Sequence, residues 1–212
     1  MKNILIAIRP KWVEKIASGQ KTIEVRKTAP KETPFKAYIY ATRPKKFYKC
    51  GAVSTSDELL WLANGKVEMG DGFKFWADGD EYQCLNGFVI GEFICDKVYN
   101  LVNAFGGIMF ADENLNQLEP QLFRDMSCLT DEQTADYLGN KDGYGWHISN
   151  LKIYDKPREL SEFYRICKNP CKPSNGGILC LTTKSLKMNG CDGKIPLTRP
   201  PQSYMFVEEV EQ

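Results

Sequence analysis

The chain has 212 residues, a formal net charge of +1, an apolar fraction of 42% and a charged fraction of 26%. These values suit one large globular domain and exclude a low-complexity or strongly charged disordered chain. No apolar stretch approaches the roughly 18 residues that a membrane-spanning helix needs, and eight cysteines in such a chain are expected to be reduced rather than paired, so a soluble cytoplasmic protein with no membrane partner is the expectation.

Asn3 to Ile8 predicts a strand. Pro10 then stands where a first helical residue is favoured, with Trp12, Val13, Ile16 and Ala17 at helical spacing and Gly19 as the stop. With Thr22 to Arg26 as a strand, the two-residue period sends Ile23 and Val25 to the core and Thr22, Glu24 and Arg26 to the other face. Lys36 to Thr42 is aromatic and β-branched enough for a further strand, ended by Arg43-Pro44. Residues 43–86 lose this pattern and read as an insertion, in which Phe73, Phe75 and Trp76 predict an ordered hairpin or lid. Asp71, Asp78, Asp80 and Glu81 lack the spacing of a calcium loop and predict a solvated acidic turn.

Gly87 to Leu101 is nearly continuous in apolar residues and predicts one strand covered on both faces. Thr130-Asp131-Glu132-Gln133 has the form of a capping box, opening a helix that Gly139 stops. Gly143 to Tyr154 predicts a strand closed by Pro157, Leu160 to Tyr164 a short helix, and Ser203 to Glu208 a last strand. Strands interrupted by helices, without a glycine-rich phosphate loop, favour an α+β fold built on a small mixed barrel over a doubly wound sheet.

The charge of +1 hides a segregation. Residues 1–50 hold 13 Lys/Arg against 3 Asp/Glu, residues 51–145 hold 5 against 17, and residues 146–212 hold 10 against 7. The basic end can neutralise phosphates and release their counterions. The acidic middle supports a rival reading, a non-catalytic module that binds a basic protein partner.

Within the basic end, Gly19-Gln20-Lys21-Thr22-Ile23-Glu24-Val25-Arg26-Lys27, preceded by a strand and a proline-started helix, resembles the G-x-K-x-x-E-x-R signature of ASCH domains. The segment Gly143 to Pro157 likewise resembles the later strand-plus-proline segment of phage- and bacteria-encoded ASCH proteins. The resemblance implies a PUA-like barrel with flanking helices, association with RNA, and a phage or prophage origin. The expected organisation is one domain over 1–212, with a core at approximately 1–42, 87–157 and 203–210, the insertion at 43–86, and an elaborated C-terminal tail carrying a Cys-rich segment at 167–191; the resemblance is sharpest over 1–42, extends over 87–157, and does not specify the insertion or the Cys-rich tail. Lys21, Glu24 and Arg26 would line a cleft between the first helix and the barrel.

The residue chemistry agrees with that placement. Arg26 offers a planar fork for a phosphate or a base edge, Glu24 can orient it or accept from an exocyclic amine, and Lys21 adds a point charge. The predicted ligand is RNA or a nucleotide, with DNA as the alternative nucleic acid and no cofactor. Some small ASCH proteins are amidohydrolases that remove the acyl group from N4-acetylcytidine with a Thr nucleophile and a nearby Lys, which makes a modified-nucleoside hydrolase the alternative. This chain keeps Lys21 but has Glu24 where that Thr would sit, and Thr22 is displaced along the strand, so no catalytic residue is assigned and binding without catalysis is favoured.

His147, the only histidine, excludes a multi-histidine metal site and reads as a structural residue opposite Trp146 and Ile148. Trp12, Tyr38, Tyr40 and Trp146 are candidates for stacking on splayed bases, though most of them are expected in the core. Cys167, Cys171, Cys180 and Cys191 form a candidate structural zinc set. The lack of a Cys-x2-Cys knuckle, and the apolar run Ile178 to Leu181 around Cys180, keep a metal out of the predicted sites.

Overall fold

The computed structural model describes residues 1–43, 59–70, 83–104, 107–139, 141–167, 172–174, 177–180, 185–187 and 193–209. From the N-terminus run strand β1 (Lys2–Ile8), helix α1 (Pro10–Ala17), β2 (Ile23–Arg26) and β3 (Phe35–Ala41). Then come β4 (Leu59–Ala63), β5 (Lys66–Gly70), β6 (Gln83–Cys84), β7 (Val89–Cys95), β8 (Val98–Ala104) and β9 (Gly107–Ala111). Helices α2 (Pro120–Ser127) and α3 (Asp131–Leu138) precede β10 (Gly143–His147) and β11 (Ser149–Arg158). The rest is short strands: β12 (Phe163–Ile166), β13 (Lys172–Ser174), β14 (Gly177–Cys180), β15 (Ser185–Lys187), β16 (Lys194–Pro196), β17 (Tyr204–Phe206) and β18 (Glu208–Glu209).

The class is α+β, as expected. A five-stranded sheet in the order β11-β7-β3-β1-β17 forms its centre. Strand β1 is apolar on both faces, and each face is covered: Ile4, Ile6 and Ile8 join one core with Phe35, Ile39 and Phe93, while Leu5 joins another with Tyr38, Val89 and Phe163. Strands β1 and β3 run parallel, Lys2 opposite Phe35 and Ile8 opposite Ala41. Parallel neighbours need a crossover, and this one carries α1 and β2.

Strand β2 leaves that sheet for a second, in the order β2-β10-β8-β9. Its Ile23 and Val25 pack with Leu101, Phe110, Phe123 and Leu138 beneath α2 and α3. Helix α1 starts at Pro10 with no side-chain cap and buries Pro10, Val13 and Ile16. Strands β4 to β6 form a three-stranded sheet against α1, and their Leu60 together with Leu85 enters the first core. The Asn86 amide ties this piece down, accepting from the Leu60 N–H at 2.8 Å and donating to the Thr42 carbonyl at 3.0 Å. Thus part of residues 43–86 packs in the core, while Phe73, Phe75, Trp76 and the acidic residues 71–81 lie outside the described residues.

Three sequence expectations are corrected. The stretch Gly87 to Leu101 is not one strand but β7 and β8, broken at Asp96-Lys97 and assigned to different sheets. Gly143 to Tyr154 is likewise β10 and β11, broken at Ile148. Both breaks occur at the same place: His147 Nδ1 lies 2.6 Å from Asp96 Oδ1, the His147 N–H donates to the Lys97 carbonyl at 3.1 Å, and the Ile148 N–H donates to the Thr22 carbonyl at 2.8 Å. Apolar residues continue on both sides of each break, Ile94 and Val98 at the first and Trp146 and Leu151 at the second, so hydropathy carries no mark of the change. The third correction is Leu160 to Tyr164, a 3-10 turn over Leu160–Glu162 followed by strand β12, because the Glu162 side chain accepts from the Glu159 N–H and turns the chain. Among the described residues no helix is long and apolar enough to cross a membrane.

Candidate functional site

Gly19, at a φ of 77°, ends α1 and reverses the chain, after which the Lys21 N–H donates back to the Lys15 carbonyl at 2.9 Å. That turn brings Lys21 beside the start of β2. Strand parity then does what the sequence predicts: Ile23 and Val25 face the core, and Glu24 and Arg26 face away from it. The opposite face is not an open surface, however. Helices α1 and α3, the end of β1 and Pro200-Pro201 close around it as a cleft of about 630 Å³.

Lys21, Glu24 and Arg26 lie in a row along the cleft, only 2%, 6% and 6% exposed. Lys21 Nζ is 3.5 Å from one Glu24 oxygen, and Arg26 Nη2 is 3.1 Å from the other. Each cation has a backbone acceptor as well: Lys21 Nζ donates to the Ser127 carbonyl at 2.7 Å, and Arg26 Nη2 to the Ala7 carbonyl at 2.7 Å. Arg26 thereby links β2 of one sheet to β1 of the other. Its Nε is buried without a hydrogen-bond partner.

Removing three charges from water costs several kcal/mol for each ion, and mutual pairing together with the two backbone carbonyls offsets it here. Burial pushes the Lys21 ammonium below its ordinary value of 10.5, and Glu24 pulls it part of the way back. With both cations charged, the row carries one net positive charge. Arg9 and Lys11 add cations to the lining, while Asp136 adds an acid from α3.

Two aromatic rings flank the row. Trp12 stands at the Lys21 end, with Lys21 Nζ 5.3 Å and Lys11 Nζ 4.7 Å from its ring. Tyr137 of α3 also lines the cleft, its hydroxyl raised above its ordinary pKa by burial. Leu129, Pro200 and Pro201 give the cleft an apolar side.

Of the four aromatic residues proposed for stacking, Trp12 alone lines the cleft; Tyr38, Tyr40 and Trp146 are core residues. Thr22 is not in the lining, and its backbone is held by Met126 and Ile148. The hydroxyl groups that do line the cleft belong to Thr42 and Tyr137. His147 is bonded to Asp96 at the sheet junction, in the structural role expected of it. Among the described residues no group of three metal-ligating side chains occurs. Cys167 is in no disulfide among the described residues, whereas Cys171, Cys191 and the side chain of Cys180 lie outside them.

Sequence reasoning missed Arg9, Lys11 and Tyr137. The first two flank Pro10 and share the basic stretch, a signal that was available. Tyr137 carried none, because more than a hundred residues separate α3 from β2.

No family model matches the chain, and no curated protein matches it. Among solved structures, the chain is similar in fold to ASCH from Zymomonas mobilis, with 16% identity, a TM-score of 0.48, and coverage of 98% of this chain and 88% of that one. It is similar also to two point mutants of the same protein, one at 14% identity and TM-score 0.46 over 98% of this chain and 89% of that one, the other at 16% and 0.42 over 76% and 77%.

Proposed function

We propose that the cleft binds RNA or a nucleotide, with Lys21, Glu24 and Arg26 as its polar wall. The observation that carries this reading is the buried row of two cations and one carboxylate in a cleft of about 630 Å³. That volume falls in the usual range for small-ligand sites, roughly 300–1,000 Å³. A net positive charge held away from water attracts an anion more strongly than the same charge on the surface. Glu24 supplies an acceptor for an exocyclic amine, and Arg26 a donor fork for a phosphate or base edge.

A hydrolase of a modified nucleoside is less well supported. Both Glu24 oxygens are engaged by cations, Thr22 is outside the lining, and a carboxylate paired on each side is a poor nucleophile. Binding without chemistry needs none of these groups to change role.

The test is a fluorescence-anisotropy titration of a labelled mixed-sequence single-stranded RNA at two salt concentrations, with DNA of the same sequence as competitor. Wild type is compared with Arg26→Ala and with Trp12→Ala, which leaves the charge row intact, and each variant's fold is checked by circular dichroism. Salt-sensitive binding that weakens about tenfold or more in folded variants is expected. Binding indifferent to salt and to both substitutions would overturn the assignment.

A further inference from the structure

Tyr137 of α3 is 40% exposed. The residue nevertheless lines the cleft beside Arg26. Lys27, which is not part of the lining, places its ammonium 5.5 Å from the centroid of the ring. Trp12 holds the corresponding place at the Lys21 end of the row. A polar row flanked by two rings fits a flat heteroaromatic ring whose edge meets Glu24 and Arg26 and whose face meets an aromatic side chain.

We infer that Tyr137 is the stacking wall for a single unpaired nucleobase, so that the cleft selects single-stranded RNA or a mononucleotide against a duplex; this rests on the nucleotide-binding reading of the cleft. The physical reason is access. In a duplex the faces of a base are covered by its neighbours and its pairing edge is occupied, so neither Tyr137 nor Glu24 has anything to meet. An unpaired base presents both, and stacking tolerates any base while the edge contacts discriminate. The Lys27 ammonium over the ring is in place before the ligand arrives, which lowers the ordering cost of binding.

The 212-residue chain is titrated with a labelled single-stranded RNA, with the same RNA annealed to its complement, and with a nucleoside monophosphate as competitor. The proteins compared are wild type, Tyr137→Ala and Tyr137→Phe, with thermal melts to verify that α3 is intact. The expected results are single-strand binding well above duplex binding, a loss of roughly 5- to 150-fold in Tyr137→Ala, and near wild-type binding in Tyr137→Phe, which keeps the ring and loses only the hydroxyl. Equal affinity of folded Tyr137→Ala and wild type would overturn the stacking role and leave the RNA reading standing. A loss in Tyr137→Phe as large as in Tyr137→Ala would also overturn it, by assigning the effect to the hydroxyl. Duplex binding as tight as single-strand binding would overturn the selectivity, and no binding of any nucleic acid or nucleotide by wild type would overturn both readings together.

Discussion

Glu24 sets the charge balance of the cleft, because among the described residues it alone pairs with both buried cations. Glu24→Gln keeps the size of the side chain and removes the charge, leaving Lys21 and Arg26 buried with only neutral acceptors. Breaking a buried ion pair from one side typically costs about 3–5 kcal/mol, so the variant is expected to lose stability of that order in urea denaturation at neutral pH. The deficit should also depend on pH. Lys21 is already held below 10.5 by burial, so the unfolded chain binds its proton more tightly than the folded one, and stability rises with pH between the lowered folded value and 10.5. Without Glu24 that folded value falls further and the window widens downwards. The Glu24→Gln deficit should therefore shrink as the pH is raised towards 10.5, and a deficit that stays constant across this range would show that burial of the ammonium is not its cause.

At the scale of elements, the junction of the two sheets depends on a pair that hydropathy does not announce. Asp96 and His147 sit where β7 passes into β8 and β10 into β11. Burial raises the Asp96 carboxyl, but the hydrogen bond from His147, a backbone hydrogen bond and the charges of His147 and Lys97 together outweigh it, and the net result lies below 3.8. A depressed carboxylate contributes stability above its unfolded pKa and loses it as pH falls through the folded value. Asp96→Asn is accordingly expected to flatten the acid limb of the stability curve below about pH 3.8, by a modest amount because the side chain is about half exposed. An acid limb identical to that of wild type would remove the pair from any role in holding the junction. The same junction explains what the sequence could and could not disclose. Strand β1, helix α1 and the β2 parity were legible because a short period, Pro10 and Gly19 each act locally. The breaks at Asp96-Lys97 and Ile148 were not, since they are set by a contact between residues far apart in the chain, and the turn at Leu160–Glu162 was missed because a single turn has no period.

At the scale of the whole molecule, the charge segregation of the sequence becomes a geometry. Arg9, Lys11, Lys21 and Arg26, all within the first 50 residues, line one cleft, and Asp136 from the acidic middle stands in the same lining. The basic stretch and the signature residues were legible in the sequence; the wall contributed by α3 was not, because it comes from chain distant in sequence. The inner and outer cations should differ in what they do. Lys21 and Arg26 are committed to Glu24 and to carbonyls, so their removal disturbs the fold as well as the ligand. Arg9 and Lys11 have no such commitment to the charge row. Each phosphate contact contributes close to one to the slope of log affinity against log salt for a duplex and somewhat less for a single strand. Arg9→Ala and Lys11→Ala should therefore each lower the slope for single-stranded RNA by about 0.7 to 1, while thermal unfolding remains close to that of wild type. A salt slope unchanged in both variants would mean that the phosphates do not pass the mouth of the cleft beside α1, and the path of the strand would have to be drawn along the α3 side instead.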